Sequence, residues 1–336
     1  MAGTPGGMRV RNPRTGIEDH AIVPLDAAGV EAVAARLRAA QAEWAGWSPT
    51  ARAEMLRALG AAIHRHRGAI TAALTLDTGR AAISAIEVEG TIRTLERWAA
   101  SAPALIVRTE GEPRASATPG IEIATRLVPY VLVGAISPWN FPLTLALIDA
   151  IPALAAGCAV IVKPSEVTPR FIAPLAVAIA EVPGLPLAVI EGDGATGAAL
   201  IEAVDYVAFT GSVATGRKVA AAAAGAFIPA SLELGGKDPM IVLASADPVA
   251  AAGTALRASV VNTGQACQSI ERVYVAREIA GPFLAALVEQ ARAVRLNAED
   301  IRRGDVGPFI FARQAGIVQA QIDAAVAGGA RLLAGG

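Results

Sequence analysis

The spacing of apolar residues along the chain changes near residue 130. Before residue 100, apolar positions recur every three or four residues, a pattern that predicts amphipathic helices. Asp26 and Ser48, the latter followed by Pro49, precede two such stretches and are residue types that cap helices. A third helix is expected between Ile83 and Ala100. We therefore predict that the first hundred residues are helical and carry little chemistry.

A short segment with a different rhythm follows these helices. The apolar residues Ile121, Ile123 and Leu127 alternate with polar residues, as in a strand with one polar face. Pro119-Gly120 can turn the chain into this stretch. The pattern predicts an exposed strand or hairpin arm over residues 119–130. An exposed strand edge is either shielded or used for assembly.

From Tyr130 onward, short apolar strands alternate with helical stretches. Four strands are expected, each followed by a loop and a helix, at residues 131–136, 159–162, 187–190 and 206–209. Continuous apolar strands that alternate with helices indicate an α/β fold, with a parallel sheet covered on both faces. Ligands of such sheets bind beyond the carboxyl ends of the strands. The four loops after these strands are therefore the expected site of function.

Length and charge narrow the class of protein. A chain of 336 residues exceeds the usual size of one hydrophobic core, so two domains are expected. With 29 basic and 30 acidic residues, the net charge of −1 gives no basic surface for nucleic acid. The first sixteen residues lack the apolar core of a signal peptide.

No membrane span is expected either. The apolar run from Leu143 to Val162 is interrupted by Asp149, Pro152 and Gly157, which favours a buried helix followed by a strand. The two cysteines cannot form a disulfide framework, and no Cys/His spacing suggests a metal site. A reducing, cytoplasmic setting and a protein without a metal are the expectations.

One carboxylate and one thiol stand in glycine-marked backbone. Glu233 opens the run Glu-Leu-Gly-Gly-Lys, and Cys267 closes Gly-Gln-Ala-Cys. A thiol can attack a carbonyl carbon, and a carboxylate can take a proton from water, so the pair could form and hydrolyse a thioester. A single cysteine is more commonly buried filler. Because all three histidines lie within the first 66 residues, Glu233 is a better candidate base than histidine.

The first two strand-end loops carry polar side chains with two open interpretations each. Asn140 lies between two prolines and could donate a hydrogen bond to an oxyanion or cap a helix. Lys163 and Glu166 lie three apart after the second strand. They could hold a ribose, or they could form a surface ion pair.

The third and fourth loops are glycine turns that open helices. Gly192 to Gly197 match the G-x-G-x-x-G dinucleotide pattern, which is a weak signal by itself because such turns are common. Phe209-Thr210-Gly211-Ser212 offers free N–H groups at a helix N-terminus, where a pyrophosphate could bind.

Taken together, these loops resemble the aldehyde dehydrogenase superfamily. Five motifs occur in the order of that family, and Cys267 follows Glu233 by 34 residues, as it does there. The motifs are Ser137-Pro138-Trp139-Asn140-Phe141-Pro142-Leu143, Lys163-Pro164-Ser165-Glu166, Phe209-Thr210-Gly211-Ser212, Glu233-Leu234-Gly235-Gly236-Lys237 and Gly264-Gln265-Ala266-Cys267.

The resemblance implies a doubly wound, Rossmann-like NAD-binding domain over residues 1–118 and 131–232. It further implies an arm strand for oligomerisation over residues 119–130, in a homodimer or homotetramer, and the N-terminal part of an α/β catalytic domain over residues 233–336. The chain stops before the later motifs of the family, so we expect a C-terminally truncated catalytic domain.

The resemblance also implies the roles of individual residues. Cys267 would attack a small aldehyde, Asn140 would hold the oxyanion and Glu233 would activate water, with Lys163 counted among the catalytic residues. NAD is favoured over NADP because Glu166 would repel a 2′-phosphate, although NADP stays possible. The implied cofactor-binding residues are Ser137, Pro138, Trp139, Lys163, Ser165, Glu166, Gly194, Gly197, Phe209, Thr210, Gly211, Ser212, Thr215, Leu234 and Gly235.

Three other interpretations stay open from the sequence. The chain could be a nucleotide-binding fragment with an unfinished catalytic site, or a thiol esterase that uses Cys267 and Glu233 without a cofactor. A relative that transfers the acyl group to coenzyme A is the third, and the presence of Glu233 favours water as the acceptor instead.

Overall fold

The computed structural model describes residues 7–107 and 111–335, and it opens with a hairpin that the sequence did not predict. Strands β1 (Met8–Arg11) and β2 (Glu18–Ile22) pair antiparallel. The turn between them closes with a hydrogen bond from the Asn12 amide to the Ile17 carbonyl, 2.8 Å long. The Arg170 guanidinium binds Asp19 on β2 and the buried Asp77, which anchors the hairpin to the helices behind it.

Four helices follow, and their starts confirm the expected caps. They are α1 (Ala27–Gly46), α2 (Pro49–Arg65), α3 (Arg67–Thr78) and α4 (Ala81–Val107). The Asp26 carboxylate accepts from the Gly29 amide and the Ser48 hydroxyl from the Ala51 amide, as N-caps do. The apolar stripe of α2 is fully buried, with Leu56 and Leu59 at 0% exposure. Helix α3 was not predicted from the sequence.

The predicted arm is a hairpin with very short strands. β3 (Arg114–Ala115) and β4 (Glu122–Ile123) pair antiparallel around Gly120, whose φ of +81° suits glycine. Residues 124–130 form no regular strand, so of the two predicted alternatives, a strand or a hairpin arm, the structure has the hairpin. The reason is that these residues have no neighbouring strand in the described chain to satisfy their backbone groups.

The main sheet has five parallel strands in the order β7, β6, β5, β8, β9. They are β5 (Leu132–Ile136), β6 (Ala159–Lys163), β7 (Leu187–Val189), β8 (Tyr206–Thr210) and β9 (Ala230–Glu233). Chain order runs outward from β5 through β6 to β7 and then returns to β8 on the other side of β5. The carboxyl ends of β5 and β8 therefore flank the switch point, where ligands of such sheets bind.

Helices cover both faces of this sheet, as predicted. They are α5 (Pro142–Leu147), α6 (Ala150–Ala156), α7 (Ile172–Ala180), α8 (Gly194–Ala203) and α9 (Val213–Gly225). The single helix expected after Asn140 is broken into α5 and α6 at Ile148 and Asp149. Pro152 explains the break, because proline lacks an N–H and is tolerated in the first turn of a helix but not in its interior.

A second, smaller sheet follows. β10 (Asp238–Val242) pairs parallel with β11 (Ile270–Val275). The helices of this part are α10 (Pro248–Val260), α11 (Ala280–Arg292) and α12 (Arg313–Ala327). Val242, Ala252 and Phe283 form its buried core, whereas Ile241 and Tyr274 on the strands are exposed. The two sheets separate within residues 234–237, which join β9 to β10.

Within residues 7–107 and 111–335, no helix combines the length and the hydropathy of a membrane span.

Candidate active site

The two stretches that carry the thiol and the carboxylate lie side by side. Glu233 is the last residue of β9, and the chain then leads into β10, while Cys267 precedes β11, the strand paired with β10. A Cβ on Gly236 would lie 4.0 Å from the Cys267 carbonyl oxygen. The structure therefore brings the two predicted loops together at the amino ends of two paired strands.

Both candidate side chains are at least partly exposed. Glu233 is exposed and Cys267 is half-buried, and neither side chain has a hydrogen bond or ion pair within residues 7–107 and 111–335. Cys158 differs, because it is only 5% exposed and burial raises the pKa of its thiol to about 11. Since the thiolate is the nucleophile, Cys267 is the better candidate of the two cysteines.

Asn140 lies against the cysteine loop. Its side-chain Nδ2 donates to the Gln265 carbonyl over 2.9 Å, two residues before Cys267. The alternative of a helix cap is excluded, because α5 begins after Phe141 and has no side-chain cap. Asn140 thus joins the carboxyl end of β5 to the loop that bears the thiol.

Two residues that the sequence analysis missed support Asn140 from behind. Arg80 Nη2 donates to the Asn140 carbonyl over 2.9 Å, and Asn262 Nδ2 donates to the same oxygen over 3.0 Å. Both side chains are 4% exposed. Burial lowers the pKa of Arg80 to about 10, so it stays charged at neutral pH. The prediction that the first hundred residues carry little chemistry was therefore wrong, and no spacing in the sequence indicates that Arg80 reaches Asn140.

Glu87 on α4 lies behind the same loop. Its Oε2 accepts from the Thr144 amide over 3.2 Å, and its Oε1 is buried without a hydrogen-bond partner in the part of the chain that the structure describes. Burial raises the pKa of Glu87 from 4.5 to about 7, opposed by the Thr144 hydrogen bond and by the charge of Arg80. The folded protein therefore binds a proton at Glu87 more tightly than the unfolded chain does.

A pH-dependent stability follows from this carboxyl. Between pH 4.5 and 7 the contribution of Glu87 to stability should fall as pH rises, by about 1.4 kcal/mol per pH unit and about 3 kcal/mol in all. Glu87→Gln keeps the acceptor for Thr144 and removes the charge. Urea unfolding should show equal stability of the two proteins near pH 4.5 and a more stable variant at pH 8. Glu89→Gln, at an exposed position of α4, is the control, and an unchanged difference across this range would contradict the expectation.

Lys163 and Glu166 lie together at the end of β6. Lys163 is 4% exposed, and its ammonium donates to the Gly192 carbonyl over 2.9 Å and lies 3.6 Å from the Glu166 carboxylate. Burial lowers its pKa, while Glu166 raises it. These contacts fit a role in binding better than a role in chemistry, since none of them links Lys163 to Cys267 or Glu233. Ser165 is buried beside them and accepts from the Val167 amide.

The two glycine turns differ at their helix ends. At α8, the Asp193 carboxylate accepts from the Ala195 and Thr196 amides over 2.9 and 3.1 Å, so a carboxylate already fills this helix end. At α9, the neutral Ser212 hydroxyl accepts from the Thr215 amide over 3.2 Å. An anion would meet repulsion at α8 and a free positive dipole end at α9.

Two glycines allow side chains to pack closely on the backbone at the start of α9. A Cβ on Gly211 would lie 2.5 Å from the Phe209 ring, and a Cβ on Gly216 would lie 2.6 Å from Leu234. Phe209 and Leu234 therefore pack directly on the backbone of this turn. Thr210 is buried, and Thr215 is exposed with its hydroxyl bonded to Ser212.

The other predicted cofactor-binding residues surround the same sheet edge. The Ser137 amide donates to the Lys163 carbonyl over 3.2 Å. The Ser137 hydroxyl is buried and has no hydrogen-bond partner among the described residues. Trp139 meets the edge of Phe311, and Pro138 is half-buried beside it. Three glycines remain: Gly194 and Gly235 have open space around them, and Gly197 packs on the Lys163 side chain.

No group of His, Cys, Asp and Glu in the described part of the chain has the geometry of a metal site. The described residues instead provide a thiol, an exposed carboxylate, an amide donor and a helix N-terminus with a neutral cap, in segments that adjoin β5, β8, β9 and β11. These are the parts required for acyl chemistry on a carbonyl next to a bound nucleotide.

Comparison with known proteins agrees with this geometry. A protein of Mycolicibacterium smegmatis whose name gives it as succinate-semialdehyde dehydrogenase [NADP(+)] is 38% identical over 330 residues, covering 96% of this chain and 63% of its own length. A solved structure described as the aldehyde dehydrogenase PutA of Anabaena variabilis is 47% identical, with a TM-score of 0.89 over 94% of this chain and 67% of that one. A betaine aldehyde dehydrogenase of Staphylococcus aureus, solved in complex with NAD+, is 29% identical with a TM-score of 0.89, covering 97% of this chain and 66% of that one.

This chain spans less than two thirds of the length of the curated relatives it matches first, 63% and 60% for the first two. The profile of the aldehyde dehydrogenase family matches residues 2–336. The α/β fold with its parallel sheet is the fold of these solved structures. The chain belongs to the aldehyde dehydrogenase family.

Proposed function

We propose that this chain carries the nucleotide site and the reactive thiol of an enzyme that oxidises a small aldehyde to a carboxylic acid with NAD. The observation that carries the proposal is the hydrogen bond from Asn140 to the Gln265 carbonyl, because it sets an amide donor beside Cys267. Names of relatives, such as succinate-semialdehyde and betaine aldehyde dehydrogenase, support the reaction class.

The first step belongs to Cys267 and Asn140. The thiolate sulfur attacks the aldehyde carbon, the carbonyl π-bond opens, and its electron pair moves onto oxygen to give a thiohemiacetal anion. The free Nδ2–H of Asn140 and the backbone N–H of Cys267 are the donors proposed for this oxyanion. When the anion collapses and its carbon loses hydride, Cys267 is left as a thioester.

NAD, when bound, supplies the electrophilic ring that accepts this hydride. The residues present fit such a group: Lys163 is a buried cation beside Glu166, and the first turn of α9 presents free amides without a carboxylate cap. Ser165, Phe209 and Ser212 complete the proposed cleft.

The second step belongs to Glu233. Its carboxylate takes a proton from water, and the hydroxide oxygen attacks the thioester carbon. The carbon–sulfur bond then breaks, which releases the carboxylic acid and returns the thiolate. Glu233 suits this role because its carboxylate is exposed and has no partner in residues 7–107 and 111–335. A proton held by Glu233 can pass directly to solvent water.

The amide of Asn140 can be tested by removing it. Asn140→Ala should lower kcat/KM for aldehyde oxidation by about 10²- to 10³-fold, because a preorganised oxyanion donor is lost. Circular dichroism and an unchanged Kd for NAD would show that the fold and the nucleotide site are intact. A variant within about twofold of wild type would remove Asn140 from the mechanism.

The choice of cofactor depends on Glu166. Its carboxylate, beside Lys163, would repel the 2′-phosphate of NADP, so the chain should prefer NAD. Glu166→Gln should raise the affinity for NADP relative to NAD by about tenfold in calorimetry, since one repulsive charge is worth about 1 kcal/mol or more. Glu202→Gln, exposed on α8, is the matched control. An unchanged ratio of the two affinities would show that Glu166 does not face the ribose.

The division of labour in the chain is also part of the proposal. Residues 1–118 and 131–232 would bind the nucleotide, and residues 233–336 would present the thiol. Val128 and Leu127 are 75% and 66% exposed on the arm, which suits assembly into a homodimer or homotetramer. Leu145 in α5 and Ile148 at the break between α5 and α6 would line the entry for an apolar aldehyde. Two free cysteines suit a reducing compartment such as the cytoplasm.

A further inference from the structure

The turn before Cys267 has an unusual backbone. Asn262, Thr263 and Gly264 have φ values of +58°, +59° and +70°, so three residues in succession are left-handed. Glycine tolerates this conformation and asparagine accepts it, but a β-branched threonine there is strained. Such strain persists only where surrounding contacts enforce it, and it concentrates at functional sites.

The contacts of Asn262 explain what enforces the turn. Its Nδ2 has two hydrogens, and it donates to the Asn140 carbonyl and to the Gln265 carbonyl, both over 3.0 Å. In return, Gln265 donates to the Asn262 carbonyl from its backbone amide over 3.1 Å and from Nε2 over 3.0 Å. The left-handed conformation thus directs the side-chain amide of Asn262 toward two loops that belong to different sheets.

A hydrogen-bonded cluster contains Arg80, Asn140, Asn262 and Gln265, and its donors and acceptors can be counted. The Asn140 carbonyl accepts from Arg80 and Asn262, and the Gln265 carbonyl accepts from Asn262 and Asn140. Each of these two oxygens therefore has both lone pairs occupied. Exchange of N and O in either asparagine amide would set two acceptors against each other, so the orientation of both amides is fixed.

One hydrogen is left over in this count. Asn140 Nδ2 has two hydrogens and uses one on Gln265, within the residues that the structure describes. The Oδ1 atoms of Asn140 and Asn262 are buried and have no hydrogen-bond partner among the described residues, so the cluster satisfies the two carbonyls at the expense of its own amide oxygens. Since the Asn140 amide cannot rotate without losing Gln265, its second N–H has a fixed direction.

We propose that Asn262 is a positioning residue, which holds the cysteine loop against the Asn140 main chain and thereby orients the one free N–H of Asn140. The inference rests on the proposed oxyanion role of Asn140. Asn262 itself touches no reacting atom. Without the Asn262 amide, the carbonyl oxygens of Asn140 and Gln265 would each accept only one hydrogen bond, and the loop that carries Cys267 would be free to shift.

Two probes of Cys267 separate this role from a general effect on the thiol. Iodoacetamide alkylates the sulfur by displacing iodide at a saturated carbon, so no oxyanion forms. 4-Nitrophenyl acetate acylates the same sulfur through a tetrahedral oxyanion and releases 4-nitrophenolate. The ratio of the acylation rate to the alkylation rate therefore reports oxyanion stabilisation, and neither probe requires NAD or aldehyde oxidation.

Asn262→Gly removes the side-chain amide and also relieves the left-handed strain. A fall in the ratio of the two rates in this variant would therefore not result from added strain. We expect the ratio to fall about tenfold or more, since small misplacements of a catalytic group have effects of this order. Thr263→Asn relieves strain at the next residue and keeps the Asn262 amide, so its ratio should stay within about twofold of wild type. Equal ratios in wild type and Asn262→Gly would overturn the proposal.

A measurement on the unaltered chain keeps the proposal testable if the variant does not fold. With ¹⁵N-labelled asparagine, both side-chain amide hydrogens of Asn262 and one of Asn140 should exchange slowly with solvent, and the other Asn140 hydrogen should exchange faster. Rapid exchange of the Asn262 amide would overturn the positioning role. Slow exchange in a protein that oxidises no aldehyde would support the positioning role and count against the proposed function alone.

Discussion

Replacing Cys267 by alanine is expected to abolish aldehyde-dependent reduction of NAD by this chain. The reason is that no other residue can form the thioester: Cys158 is 5% exposed, and burial raises the pKa of its thiol to about 11. Absorbance of NADH should stay at the level of the protein-free reaction with every aldehyde tested. The Kd for NAD should change little, because the proposed nucleotide contacts lie at the carboxyl ends of β5, β6 and β8 and at the start of α9.

Cys158→Ala is the matched control for this result. It removes the second thiol from the core and should leave turnover within a few-fold of wild type, since deletion of one small buried group mainly affects stability. Iodoacetamide should label the Cys158→Ala protein at Cys267 and leave the Cys267→Ala protein unlabelled under native conditions. Full activity of Cys267→Ala would refute the assignment of the nucleophile.

Replacing Glu233 by glutamine should separate oxidation from hydrolysis. The amide cannot take a proton from water, so the thioester at Cys267 would form and then persist. Rapid mixing of the variant with NAD and an aldehyde should give a burst of about one NADH per active site, followed by turnover reduced by about 10²-fold or more. Glutamine keeps the size of the side chain, and Glu233 has no partner in the described chain to lose.

The control for this variant is Glu271→Gln. Glu271 is exposed on β11 and pairs with Lys237 at 2.9 Å, so it is a nearby carboxylate with a structural partner. It should show no burst and nearly normal turnover. If Glu233→Gln turned over steadily at the wild-type rate, water would need another base, and the role given to Glu233 would be wrong.

Much of the fold could be predicted because local signals and global architecture agree. Asp26 and Ser48 cap the helices they were expected to cap, and β5, β6, β7 and β8 coincide with the apolar runs to within one residue at each end. Apolar strands between helices permit few arrangements other than a covered parallel sheet. The first hairpin and α3 were missed. The strands of the hairpin are only four and five residues long, whereas α3 does have a helical spacing of apolar residues at Ile70 and Leu74 that could have indicated it.

The site could be predicted only in part, for a physical reason. Asn140, Glu233 and Cys267 stand in glycine- and proline-marked loops, and their chemistry is visible in the residue types. Arg80 and Asn262 act through hydrogen bonds to the Asn140 carbonyl from 60 and 122 residues away. A bond to a main-chain oxygen can come from any donor that the fold brings near, so the sequence holds no pattern for it.

The glycine turns show how a motif can mislead. Gly192 to Gly197 match the dinucleotide pattern in the sequence, but Asp193 occupies the first amides of α8 with its own carboxylate. The less conspicuous turn at Gly211 leaves the N-terminus of α9 with a neutral cap. Charge at the helix end, rather than the spacing of glycines, favours α9 as the site for a pyrophosphate.

The central claim is that Cys267 becomes acylated by an aldehyde when NAD is present. Glu233→Gln protein should be mixed with NAD and a small aldehyde, quenched in acid and digested. The masses of the two cysteine-containing peptides should then be measured by mass spectrometry. The account predicts the mass of the acyl group on the Cys267 peptide, dependent on NAD, with the Cys158 peptide unchanged. An unmodified Cys267 peptide from a folded sample that binds NAD, or an acyl group found on Cys158 instead, would contradict it.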